Sequence, residues 1–267
     1  MTDTTNTSLS GRTIFITGSG GVLGSTYVRR MLAAGAKVIA TDLPGHRADG
    51  LKEEHGTNPN FGFYELDVGN EEQVVGIFKR IQADGWTPNV VLNNAAITGE
   101  LLMGAGKPFP DFADTSVSDW ERTMHTNLTG AFMIARQMDR DIIGKYPATL
   151  INVASMYALN GPHHAIYKDM PFKSFSAYST TKAGIHGLTL WLAGYWAERQ
   201  ATVNTIAPGA VFNGHSEEFQ RRVGELIMAG RMAEPDEIAD VMLFLCSAQS
   251  GYMTGQLVNV DGGFSGW

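Results

Sequence analysis

The apolar run Thr13-Ile-Phe-Ile-Thr17 passes directly into Gly18-Ser-Gly-Gly-Val-Leu-Gly24, and from there into a helical pattern around Tyr27, Val28, Met31 and Leu32. The order is strand, tight turn, helix. Glycines let a backbone approach a phosphate closely, and the start of a helix offers unpaired N–H groups at the positive end of a dipole. An anion is expected at this turn.

The remainder of the chain keeps alternating. Lys37–Thr41 reads as a second strand and ends in Asp42; Phe61–Asp67 reads as a third, and Asn89–Asn93 as a fourth that runs into Asn94-Ala95-Ala96. A helix over 71–81 separates the third from the fourth. A long helix over Trp120–Tyr146 is followed by the buried strand Ala148–Ala154, a helix from Ser176, the strand Thr202–Ala207, helical patterns over Glu217–Met228 and Pro235–Ser247, and a last strand and turn within Thr254–Gly263. Strands alternating with helices predict an α/β fold. The expected form is a Rossmann-type, doubly wound parallel sheet of about seven strands with helices on both faces. No repeat or linker divides the chain, so residues 11–267 are expected to form a single domain behind a flexible tail, 1–10.

Composition narrows the partners. A net charge of −7 with no cluster of Lys and Arg disfavours nucleic acid and anionic membranes, which leaves small molecules. No apolar run reaches the ~18 residues a membrane helix needs. The polar opening Met1-Thr-Asp-Thr-Thr-Asn-Thr-Ser8 has neither the basic start nor the apolar core of a signal peptide, so a cytoplasmic location is the default expectation. The single cysteine, Cys246, lies in an apolar helical pattern and reads as a buried thiol. His163 and His164 are adjacent and point apart, with no third ligand in view, so no metal is expected.

An acidic residue where Asp42 stands accepts hydrogen bonds from both hydroxyls of an adenosine ribose and repels a 2′-phosphate. NAD is therefore favoured over NADP, with Arg47 and His46 close enough in sequence to keep NADP as the lesser alternative. On the helix from Ser176, Tyr178 and Lys182 are one turn apart on one face, where the ammonium can lower the phenol's pKa and fit it for proton transfer near neutral pH. Ser155, at the end of its strand, carries a hydroxyl able to hydrogen-bond a substrate oxygen.

Taken together, Thr17-Gly18…Gly24, Asn94-Ala95-Ala96, Asn127, Ser155 and Tyr178-Ser-Thr-Thr-Lys182 resemble the short-chain dehydrogenase/reductase family over residues 11 to 263. Val22 departs from the family's pattern, which has a middle glycine there. The resemblance implies a dinucleotide at the first turn, contacted by Gly18, Ser19, Gly20, Gly21, Val22 and Leu23. It also implies Asp42 and Leu43 at the ribose, Asp67 and Val68 beside adenine, and Asn94, Ala95 and Ala96 under the cofactor. Pro208, Gly209 and Val211 would lie at the nicotinamide. It implies a catalytic tetrad of Asn127, Ser155, Tyr178 and Lys182, in which Tyr178 exchanges the proton and Ser155 orients the substrate oxygen. Lys182 would hold the nicotinamide ribose and favour tyrosinate, and Asn127 would disturb its helix and hold a water in line with the lysine. Tyr178 and Lys182 would thus touch cofactor as well.

Between Ser155 and Tyr178 lie 22 residues, about ten more than the family commonly has. This inserted segment, mixing aromatics, histidines and lysines, is expected to fold over the substrate, with Ser155, Tyr157 and Tyr178 touching it and residues 215–230 as the opposite wall. Residues 97–118 read as a loop, either a surface excursion or part of the substrate mouth. The polar insertion and the lack of an evident apolar lid favour a hydroxylated substrate, a secondary alcohol or ketone of a sugar or sugar derivative, as in a branch of the family acting on bacterial surface-sugar intermediates. The rival activity is reduction of a 3-oxoacyl chain on a carrier protein, and the rival outside catalysis is an NAD-binding scaffold or sensor. The apolar helix carrying Leu188, Leu192, Tyr195 and Trp196 is expected to pack against another subunit in a homodimer or homotetramer.

Overall fold

The computed structural model describes residues 7–104 and 109–267. Seven strands form one parallel sheet: β1 (Thr13–Thr17), β2 (Lys37–Asp42), β3 (Phe61–Glu65), β4 (Val90–Asn93), β5 (Ala148–Val153), β6 (Ala201–Pro208) and β7 (Leu257–Val260). Their spatial order is β3-β2-β1-β4-β5-β6-β7. The helices are α1 (Val22–Ala33), α2 (His46–His55), α3 (Glu71–Ala83), α4 (Gly99–Met103), α5 (Val117–Met124), α6 (Gly130–Asp141), α7 (Ser176–Tyr195), α8 (Glu217–Gly224) and α9 (Pro235–Cys246).

Alternate side chains of a strand face opposite sides of a sheet, and β1 distributes its residues accordingly. Phe15 packs with Phe78 of α3 and with Ile134 and Met138 of α6 in one apolar layer. Ile14 and Ile16 pack with Tyr27 and Met31 of α1 and with Ile238 and Met242 of α9 in the other. Strands β4 and β5 are buried along their whole length, as strands covered on both faces must be. Strand order reverses between β1 and β4, and the crevice beyond their carboxyl ends is where such sheets take ligands. A buried polar chain fixes α7 over that region. Asn93 donates to Asn152 (2.8 Å), Asn152 donates to Thr189 of α7 (2.8 Å), and Thr205 of β6 donates to the same Thr189 hydroxyl (2.7 Å).

Several boundaries differ from those the sequence suggests. The long helix over Trp120–Tyr146 is two helices, α5 and α6, joined by a π turn at His125–Thr129, and it ends at Asp141. The expected helix over Glu217–Met228 stops at Gly224, where the chain folds back so closely that a Cβ on Gly224 would lie 2.7 Å from the Gly230 carbonyl oxygen. Of the expected tail, residues 1–6 lie outside the described residues, but Leu9 is fully buried and its N–H donates to the Ala34 carbonyl at 2.9 Å. The chain is thus anchored two residues earlier than expected. The stretch 97–118 is not wholly loop: it holds α4 and a 3-10 turn at Phe112–Asp114, and its residues 105–108 lie outside the described residues.

Candidate active site

The glycine turn is held shut from below. Gly18 takes φ +65°, and a Cβ there would lie 2.6 Å from the Ala95 Cα, so the end of β1 and the chain after β4 touch through a missing side chain. Asn94 spans the same junction, donating to the carbonyls of Thr17 (3.0 Å) and Gly18 (2.9 Å), while the Thr17 hydroxyl accepts from the N–H groups of Asn94 and Ala95 (3.1 Å each). Ser19 is fully buried, with its N–H and its hydroxyl both directed at the Thr41 carbonyl. The side chains of Ser19 and Asn94, both expected at the cofactor, are therefore spent on scaffold. Gly20, Gly21, Val22 and Leu23 are half-buried, and the N–H groups of the first two already donate to Asp42 and to the Gly18 carbonyl. Helix α1 starts there with no side-chain cap on Gly21, leaving its first N–H groups for an anion.

Asp42, half-buried at the end of β2, accepts from the N–H of Gly20 (2.6 Å) and of Leu43 (2.8 Å). Its carboxylate is thereby aimed across the crevice, with lone pairs left for ribose hydroxyls. Asp67 accepts from the Gly69 N–H at 2.8 Å, and Val68 is buried against Gly130. Beyond Pro208, Gly209 packs so close to the last turn that a Cβ would lie 2.6 Å from the Asp261 Cα. Ala233 pairs with the Ala210 carbonyl and the Phe212 N–H, so the N–H and carbonyl of Val211 point the other way. These features leave a crevice at the carboxyl ends of β1 and β2 that is bordered largely by backbone.

The four expected catalytic residues converge at the carboxyl ends of β4 and β5. Ser155 follows β5 and is 8% exposed; its Oγ accepts from the Tyr157 N–H at 3.2 Å, and its hydroxyl lies near enough to the Tyr178 phenol to lower that group's pKa. Lys182 is 4% exposed, its Nζ 5.5 Å from the centre of the Tyr178 ring, and it donates to the Val153 carbonyl at 2.7 Å. Asn127 sits in the π turn, its amide oxygen accepting from the Ile97 N–H (2.7 Å) and its amide nitrogen donating to the Ile97 carbonyl (3.0 Å) and to Thr181 Oγ1 (3.3 Å). Thr181 in turn donates to the Tyr178 carbonyl at 2.8 Å. One expectation is reversed. The ammonium does not dominate the phenol: burial pushes Tyr178 up to about 12, against the Ser155 hydrogen bond, which lowers it. Burial also draws Lys182 down to about 8, which leaves it mainly charged at neutral pH.

The inserted segment and α8 form one wall. Ile166, Tyr167, Met170 and Phe172 pack with Phe219, Val223 and Ile227, and Arg222 donates to the backbone carbonyls of Ile166 (3.3 Å) and Lys168 (2.5 Å). The segment is therefore anchored on α8 through one apolar side that its composition did not suggest, while His163, His164 and Lys168 stay exposed. Beside it a cavity of about 560 Å³ opens between the insertion, the start of α7 and the loop holding Asp111, which pairs with Lys173 at 2.5 Å. Tyr167 and Phe175 border this cavity, and Ser155 and Tyr178 are not among its lining residues.

A family model described as Enoyl-(Acyl carrier protein) reductase matches residues 20–265. The chain belongs to the short-chain dehydrogenase/reductase family. It is 32% identical over 263 residues to a 3-oxoacyl-(acyl-carrier-protein) reductase, FabG, of Aquifex aeolicus, an alignment covering 96% of this chain and 98% of that protein. Its fold matches a short-chain dehydrogenase from Leptospira borgpetersenii with bound NAD+ (TM-score 0.82, 28% identity, 96% of this chain and 93% of that one). It also matches a gluconate 5-dehydrogenase from Burkholderia cenocepacia in complex with NADP and tartrate (TM-score 0.84, 25% identity, 98% of each chain). The protein is an oxidoreductase acting on CH–OH groups.

Within this short-chain dehydrogenase/reductase, two site residues escape the sequence. Tyr167 reaches the Tyr157 hydroxyl at 2.7 Å from ten positions away, and Thr181 bridges Asn127 to α7. The only signal for Tyr167 is the apolar company of Ile166, Met170 and Phe172 inside an otherwise polar stretch.

Proposed function

We propose that the chain is a dehydrogenase that interconverts a secondary alcohol and its ketone on a small, hydroxylated substrate of the sugar or polyol kind, using NAD in preference to NADP. The observation that carries this reading is the convergence of Ser155, Tyr178 and Lys182: the serine hydroxyl lies near enough to the phenol to lower its pKa, and the buried Lys182 Nζ stands 5.5 Å from the centre of the same ring. When bound, the nicotinamide supplies the two-electron acceptor at its C4. Ser155 orients the substrate oxygen by hydrogen bonding. Tyr178, as phenolate, takes the alcohol proton while the C–O bond becomes C=O and the hydride leaves with its electron pair; as phenol it returns that proton to the ketone in reduction. The neutral phenol favoured by burial suits the acid role directly. Lys182, charged at neutral pH, is the group that stabilises the phenolate in the opposite direction. Asn127 secures this geometry through Ile97 and Thr181, and a relay water belongs at its backbone, since its side chain is occupied.

The fixed carboxylate of Asp42 supports NAD, because it would repel a 2′-phosphate. Arg47, whose Cβ lies 3.0 Å from where a Cβ on Gly20 would stand, is the residue through which NADP would be accepted. A cytoplasmic location and a homo-oligomer belong to the same reading. Leu192 and Trp196, expected at a subunit contact, are buried in this chain's own core, whereas Leu190, Trp191 and Tyr195 of α7 are more than half exposed, the last two with rings stacked at 4.8 Å, an apolar face suited to a second copy. The relatedness to FabG favours one alternative, reduction of a 3-oxoacyl thioester.

The test is the absorbance of reduced cofactor when the protein is mixed with NAD or NADP and a panel of polyols, aldoses, aldonates and acyl thioesters. Turnover of polyols or sugars with NAD is the expected result. NADPH-dependent turnover confined to acyl thioesters would replace this reading with the alternative. In Asp42→Ala the preference for NAD over NADP should shrink.

A further inference from the structure

The phenols of Tyr157 and Tyr167 meet tip to tip, 2.7 Å apart. Tyr157 belongs to the 3-10 turn Met156–Ala158, and its N–H donates to Ser155 Oγ at 3.2 Å, the hydroxyl beside the Tyr178 phenol. Tyr167 closes the turn His164–Tyr167 of the inserted segment. Both rings are held: Phe264 stands edge-on to Tyr157 at 6.3 Å, while Phe172 (6.2 Å) and Phe219 (5.8 Å) flank Tyr167. Burial raises the pKa of both and keeps them protonated, and each lies near enough to Tyr178 for their charges to interact. Two phenols carry two O–H donors. One is consumed between them, and the other has no protein acceptor among the described residues. A half-buried donor of this kind, on rings held by their neighbours and with Tyr167 lining the cavity beside the inserted segment, is free to meet a ligand oxygen.

We propose that the Tyr157–Tyr167 pair reads a second substrate oxygen, close to the one that Ser155 and Tyr178 hold, so that the substrate is a vicinal diol or the corresponding hydroxyketone. This rests on the dehydrogenase reading above and narrows its substrate class. The inserted segment then has a stated purpose. It carries Tyr167 to the site, and the packing of Ile166 and Phe172 on Phe219 keeps it there.

The experiment compares steady-state kinetics of the full chain on matched pairs, each a vicinal diol and the mono-alcohol of the same skeleton, with NAD and with NADP. The wild type should favour the diol in kcat/KM by roughly ten-fold or more, the scale set by one buried hydrogen bond. In Tyr167→Phe and in Tyr157→Phe that ratio should fall toward unity, chiefly through a raised KM for the diol. A merely structural role would weaken both members of a pair alike and leave the ratio where it was. A wild type indifferent to the second hydroxyl, or a ratio unmoved in both variants, overturns the proposal and leaves the dehydrogenase reading standing. Failure to reduce either cofactor with any pair overturns both.

Discussion

Asn127 grips the peptide of Ile97 from both sides, accepting from its N–H at 2.7 Å and donating to its carbonyl at 3.0 Å. The side chain thus substitutes for a strand neighbour at the point where the chain leaves β4 and passes the candidate active site. The residue does so from the π turn at His125–Thr129, where the regular i→i−4 bonding of the helix is interrupted.

Replacing Asn127 by Ala leaves the Ile97 N–H and carbonyl without partners in a part-buried position. Loss of about 2 kcal/mol of stability is expected, on the scale of unsatisfied buried groups. Denaturant unfolding of the two proteins measures it, and turnover should fall as well because Thr181 and Tyr178 lose their tie to α5 and α6. Equal midpoints would show that Ile97 finds other partners.

Gly18→Ala should damage nucleotide binding out of proportion to its size. The new methyl would stand 2.6 Å from the Ala95 Cα, in a backbone conformation with φ +65° that costs any other residue roughly 1 kcal/mol or more. Either the end of β1 or the chain after β4 must move, and both border the bed proposed for the dinucleotide. Titration of NAD by the change in protein fluorescence should give a Kd raised at least about ten-fold.

Most of this architecture is legible in the sequence, for a physical reason. Strands covered on both faces must be apolar throughout, and β4 and β5 announce themselves by that alone. The break in the helix around Asn127, which the resemblance implies, leaves no mark on the periodicity, because the apolar residues Met124, Leu128 and Phe132 keep a four-residue spacing straight through it. Tyr167 is hidden because its partners are distant: Tyr157 lies ten residues back and Phe219 about fifty ahead, so nothing local marks it. The scaffold role of the Ser19 and Asn94 side chains is hidden for the same reason, since their hydrogen bonds go to distant backbone at the ends of β1 and β2.

Lys182 carries a pH signature. Burial lowers its pKa to about 8 in the folded protein, while the unfolded chain keeps the ordinary value near ~10.4. Between those values the unfolded state binds the extra proton, so stability rises with pH; below about 8 the full penalty of burying the charge is present. Lys182→Met removes that penalty along with the bond to the Val153 carbonyl. Relative to wild type, the variant should be more stable at pH 7 by on the order of 1–3 kcal/mol, with the advantage fading as pH approaches ~10. Thermal melts at a series of pH values test this, and a difference that stays flat across the range would refute a depressed lysine pKa.

The most direct measurement is turnover by Tyr178→Phe beside its affinity for NAD. If the phenol moves the proton at the oxygen held by Ser155, the variant keeps a Kd for NAD within a few-fold of wild type while kcat falls by about 10²–10⁴, the range of general acid–base catalysis. A variant that binds NAD normally and still turns over substrate at the wild-type rate would contradict the account.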